Sequence, residues 1–138
     1  MALPTSLHEV PGIGIDLVEI SRFGEVLDRQ GEALLRKVFT AAERRECEGR
    51  AQPKQHFAAR FAAKEAAMKA LGTGWADGIS FHDFEVHSDG KGPPRLQLAG
   101  KALELVEKLG LGEAKLSLTH TGESAAAVVM IRVPDAAP

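Results

Sequence analysis

RFAAKEAAMKALGTG, from Arg60 to Gly74, is the stretch on which the reading of this chain turns. Ala, Met, Leu, Lys and Glu all favour helix, Pro53 sits well at the head, and Gly72 followed by Gly74 supplies a C-terminal stop. At about 100° per residue, Phe57, Phe61, Met68 and Leu71 fall in one apolar stripe, with Lys64 inside it and Glu65 and Lys69 along its edge. Charge therefore stands where burial penalises it. One reading is structural: Lys64 lays its stem over apolar surface to reach water, while Glu65 and Lys69 make an i,i+4 pair contributing about 0.2–0.5 kcal/mol. The other is that these polar residues form a site.

A second acidic segment, PGIGIDLVEISRF at Pro11 to Phe23, reads as a strand. The two-residue period puts Ile13, Ile15, Leu17 and Glu19 on one face and Gly12, Gly14, Asp16 and Val18 on the other. Asp16 thus shares a face with two glycines, which leave space for another backbone, a metal or a ligand to come close. The glycines are not a dinucleotide fingerprint, because they lie inside the strand and lack the third glycine.

Around these two segments the pattern alternates between periods. Ser21–Gln30 is helical, with Ser21 as N-cap, and a short helix follows at Glu32–Val38. Thr40 opens a third helix, with Glu43 completing a capping box, that runs to about Glu48. Phe81–Val86 and Arg95–Leu98 are strands separated by the Ser88–Pro94 loop, and Gly100–Leu109 is a helix. Lys115–Thr119 and Ala125–Val133 form a terminal hairpin around THTGES. The order fits a single α+β domain, an antiparallel sheet packed against a long helix.

Composition narrows the function. At 138 residues and 44% hydrophobic, the chain can bury a core of its own. Its single cysteine, Cys47, excludes a disulfide framework and fits a reducing compartment. No stretch approaches about twenty apolar residues and MALPTSLHEV is not a signal peptide, so a soluble, cytoplasmic protein without a membrane partner is expected. A net charge of −2, one Trp, no Tyr and no long basic run argue against a nucleic-acid binder. Among the histidines other than His120 there is no zinc-site spacing, and no strand-to-helix elbow surrounds Ser117.

GIGIDLVEISR at Gly12–Arg22, RFAAKEAAMKALGTG at Arg60–Gly74, ISFHDFEV at Ile79–Val86 and LSLTHTGESAAAVVM at Leu116–Met130 stand in the order and spacing of a known family. The chain resembles the holo-acyl-carrier-protein synthases, the small type of 4'-phosphopantetheinyl transferase that serves bacterial fatty acid biosynthesis. The resemblance implies the phosphopantetheinyl transferase fold and transfer of the 4'-phosphopantetheine arm from coenzyme A to a serine of apo-acyl carrier protein. It also implies a homotrimer whose active sites form between neighbouring chains. Magnesium would be held against the coenzyme A pyrophosphate by Asp16 and Glu65, an oxygen-donor pair of the kind that ion takes together with substrate phosphates. The general base is Glu65 or a magnesium-bound water near Asp16. Lys69 and Lys64 are assigned to pyrophosphate oxygens, Arg60 to the 3'-phosphate from its own or a neighbouring chain, and His120 and Thr121 to the nucleotide end of coenzyme A. Arg22 is expected to dock the acidic carrier protein, although Glu25, Asp28 and Glu32 among Arg22, Arg29, Arg36 and Lys37 make that surface mixed.

Overall fold

The computed structural model describes residues 12–72 and 78–132. Pro11, Gly74 and Val133, which the sequence reading placed at element ends, lie outside them. In chain order the elements are β1 (Gly12–Glu19), α1 (Ile20–Gln30), α2 (Glu32–Val38), α3 (Ala41–Glu48), α4 (Pro53–Leu71), β2 (Phe84–His87), β3 (Arg95–Leu98), α5 (Gly100–Lys108), β4 (Ala114–His120) and β5 (Ser124–Ile131). β1, β5 and β4 form an antiparallel sheet in that order, and β2 pairs with β3 in a separate two-stranded sheet.

The glycines of β1 explain how sheet and helix meet. A Cβ on Gly14 would stand 1.8 Å from the carbonyl oxygen of Ala66, and one on Gly12 would stand 2.5 Å from that of Ala70. The space the glycines leave is taken by the backbone of α4. Alanines complete the approach: Ala58, Ala62, Ala63, Ala66 and Ala67 are fully buried, so α4 is enclosed on most of its circumference. The single apolar stripe expected from spacing was therefore too narrow a description, because small residues let α4 pack against the sheet and the other helices at once. Helix α4 starts with Pro53 and ends at Gly72 in the left-handed conformation, φ 77°, as expected.

Two local expectations are corrected. Ser21 does not cap α1: the N-cap position is Glu19, which makes no side-chain cap bond, and the N–H of Ile20 instead donates to the Glu123 carbonyl at 2.9 Å. The stretch Phe81–Asp83 is a 3₁₀ turn and not the start of a strand. The Thr40–Glu43 capping box is present in full.

Candidate active site

Asp16, on the inward face of β1, and Glu65, on α4, line one groove of about 540 Å³ whose walls also include Val18, Arg22, Phe23 and Phe61. Two acids far apart in sequence are brought together because the glycines of β1 lay it directly on α4. Lys69, one turn after Glu65, reaches back over β1: its Nζ donates to the Ile15 carbonyl at 3.0 Å and stands 3.2 Å from Asp16 Oδ1. It thus turns to Asp16 across β1. The Lys69–Asp16 pair is part-exposed and contributes about 0.2–1 kcal/mol, weak enough to exchange for a ligand.

This donor set fits a magnesium ion. Two carboxylates face one open groove, and one of them already draws a cation to itself. Among the described residues no group of three or more metal-ligating side chains gathers, so such an ion would complete its shell from substrate oxygens and water, as magnesium commonly does.

Lys64 corrects the sequence reading in both its forms. It neither reaches water nor opens to the groove: its side chain is fully buried, with Nζ 2.8 Å from Glu43 Oε1, and Glu43 is fully buried too. The ammonium also donates to the carbonyls of Phe81 at 3.0 Å and Phe84 at 2.6 Å. Glu43 in turn accepts the N–H of Thr40 and the N–H of Val86, both at 2.9 Å. Burial pulls the Lys64 ammonium below its ordinary range, and the Glu43 carboxylate pushes it partly back. Lys64 therefore ties α4 to α3 and to the start of β2. Glu43 was read only as a cap residue; the signal that it faces inward is Cys47, buried one turn further along α3.

Arg60 is likewise enclosed. Its Nη2 donates to Glu46 Oε2 at 2.7 Å and to the Ser88 carbonyl at 3.3 Å, leaving the side chain 2% exposed. His120 ends β4 and Thr121 begins the turn, where its Oγ1 accepts the N–H groups of Glu123 and Ser124, each at 3.1 Å. Gln55 Nε2 reaches the Thr121 carbonyl at 3.5 Å, and the His56 and His120 rings lie 6.4 Å apart. Neither Gln55 nor His56 was singled out from sequence. His56 precedes Glu65 by nine residues, roughly 14 Å along the helix and about half a turn in rotation. His56 and Glu65 therefore lie on opposite sides of α4.

The profile of the 4'-phosphopantetheinyl transferase superfamily matches residues 12–129. A protein of Trichlorobacter lovleyi described as holo-[acyl-carrier-protein] synthase is 50% identical over 123 residues, covering 89% of this chain and 98% of that one. Among solved structures, the holo-[acyl-carrier-protein] synthase of Neisseria meningitidis superposes with a TM-score of 0.79 at 32% identity, over 88% of this chain and 97% of that one. The synthase of Helicobacter pylori in complex with coenzyme A gives a TM-score of 0.75 at 28% identity, over 86% and 98%.

Proposed function

The chain belongs to the 4'-phosphopantetheinyl transferase superfamily, among the holo-[acyl-carrier-protein] synthases, and from that membership we propose how its own residues carry the reaction. It transfers 4'-phosphopantetheine from coenzyme A to a serine of apo-acyl carrier protein. The serine Oγ bonds to the phosphorus that carries pantetheine, the bridging P–O bond of the diphosphate breaks, adenosine 3',5'-bisphosphate leaves, and the serine proton is taken up by a base. The observation that carries the site reading is the meeting of Asp16 and Glu65 in one groove.

Asp16 and Glu65 would hold magnesium there, which when bound neutralises charge on the diphosphate oxygens. Lys69 gives up Asp16 and turns to those oxygens as a compact positive charge. Glu65, facing the groove from α4, or a water held near Asp16 would take the serine proton. Arg22, exposed on the groove wall, meets the acidic carrier protein at the mouth of the site. The mixed surface inferred from sequence is more positive than its composition suggests. Asp28 is paired with Lys54 at 2.7 Å and Glu32 with Arg44 at 2.6 Å, so two of its three acids are already neutralised.

The function is tested by the intact mass of apo-carrier protein after incubation with this chain and coenzyme A. A gain of one phosphopantetheine is expected; an unchanged mass with well-folded protein contradicts the assignment.

We propose a homotrimer with shared sites on a separate observation. On the face opposite α4, the part of the sheet built by β1 and the end of β5 is apolar and bare: Ile13 and Ile15 are 62% exposed, Leu17 69% and Met130 44%. Register places Ile13 beside Met130 and Ile15 beside Val128, making the patch contiguous. Such a surface is normally covered. Covering it with further copies of this chain would let one chain's His120 and Thr121 serve the carboxylate groove of a neighbour. Leu17→Glu is accordingly expected to yield monomers in sedimentation that retain native circular dichroism and lose transfer activity; fully active monomers would count against shared sites.

We place the reaction in the cytoplasm, in fatty acid biosynthesis. Cys47 is buried and unpaired, with its thiol pushed up to about 12 by burial, as suits a reducing compartment. No helix of the described residues is long and apolar enough to cross a membrane.

A further inference from the structure

Away from the carboxylate groove, cations gather on the opposite side of α4. His56 and Arg60 lie one turn apart on the helix, Arg50 comes from the turn before it, and His120 comes from the end of β4. The two imidazoles meet edge to face with centroids 6.4 Å apart. Arg50, Arg60 and His120, all of cationic type, bear electrostatically on His56. Glu46 on α3 is turned to Arg60 at 2.7 Å. Arg50 is anchored by donating to the Ser88 carbonyl at 3.0 Å, and Arg60 Nε, although buried, has no hydrogen-bond partner among the described residues. Four basic groups from three parts of the chain, with Glu46 held by Arg60, form a site that attracts an anion.

We infer that His56 and His120 form a proton-linked clamp for the phosphate at the nucleotide end of coenzyme A, His56 taking up a proton as that phosphate binds. The inference rests on the reading that His120 and Thr121 meet this end of the substrate, and it adds His56, which that reading does not contain. Burial first, and then Arg50, Arg60 and His120, hold His56 below the usual histidine range, so it is uncharged at neutral pH before the ligand arrives. A dianionic phosphate reverses the local field and favours the imidazolium. The phosphate's own last proton, which leaves near pH 6, responds in the opposite sense, since surrounding cations expel it. Net proton uptake above pH 7 therefore reports histidine, and release reports phosphate.

The test is calorimetric titration of the full chain with adenosine 3',5'-bisphosphate in buffers of low and high ionisation enthalpy, between pH 6.5 and pH 8. Uptake approaching one proton is expected near neutrality, with affinity rising by up to about tenfold per pH unit of acidification, the limit for one linked proton. His56→Gln should bind more weakly at neutral pH and lose both the uptake and the pH dependence. Binding without uptake, or uptake that survives in His56→Gln, overturns the inference. Failure to bind at every pH instead overturns the placement of the nucleotide end at His120–Thr121, and the inference falls with it.

Discussion

Lys64→Ala is expected to lose about 3–5 kcal/mol of stability, the usual result of removing one partner from a fully buried ion pair. The geometry gives the reason. Without the ammonium, the Glu43 carboxylate stays buried with only backbone N–H donors from Thr40 and Val86, and the Phe81 and Phe84 carbonyls each lose a donor. That is a large part of the roughly 5–15 kcal/mol typical of a whole domain. Glu43→Ala should be comparably damaging, because it strands the lysine. The double variant Glu43→Leu with Lys64→Met removes both charges while keeping bulk, and is expected to be more stable than either single alanine. Urea unfolding at one fixed protein concentration measures all three. Additive losses in the double variant would mean the two side chains act separately, contrary to the network described.

Asp16→Ala and Glu65→Ala should have the opposite signature, leaving the fold and removing the activity. Asp16 makes one weak, part-exposed ion pair with Lys69, so its loss costs stability little. Transfer is expected to fall by about two to three orders of magnitude or more for each, the scale seen when a group that stabilises developing charge is deleted. Circular dichroism and unfolding midpoints should stay close to those of the parent. Near-normal turnover in both variants would refute the carboxylate site, whatever happens to Lys64.

The contrast between neighbours on one helix marks how far the sequence could be read. The length of α4, its proline start and its glycine stop follow from local propensity, and the Gly12–Gly14–Asp16 face of β1 follows from a strict alternation; both were legible. So was the terminal hairpin, whose β4 and β5 pair in register from Ala114–Ile131 to His120–Ala125. Lys64 was not legible, because its fate depends on Glu43, a residue from another helix whose own local signal, the capping box, was already explained. Arg60 hides for the same reason: Glu46 and the Ser88 carbonyl come from other elements. His56 carries no motif at all and acquires its meaning from Arg50, Arg60 and His120 only once the chain is folded. The exposed row Ile13, Ile15 and Leu17 is a different kind of case. Alternation correctly gave it a face of its own, but not that this face would be the open one, because Gly12 and Gly14 bring the other face against α4.

Asp16 and Glu65 are proposed to hold a divalent cation jointly against the diphosphate of coenzyme A. Phosphorus NMR of coenzyme A bound to the protein, with manganese(II) added as a paramagnetic stand-in for magnesium, tests it most directly. The diphosphate resonances are expected to broaden more than the 3'-phosphate resonance, and this selective broadening to disappear in Asp16→Ala and in Glu65→Ala while coenzyme A remains bound. Selective broadening that persists unchanged in both variants, or none in the parent protein, would contradict it.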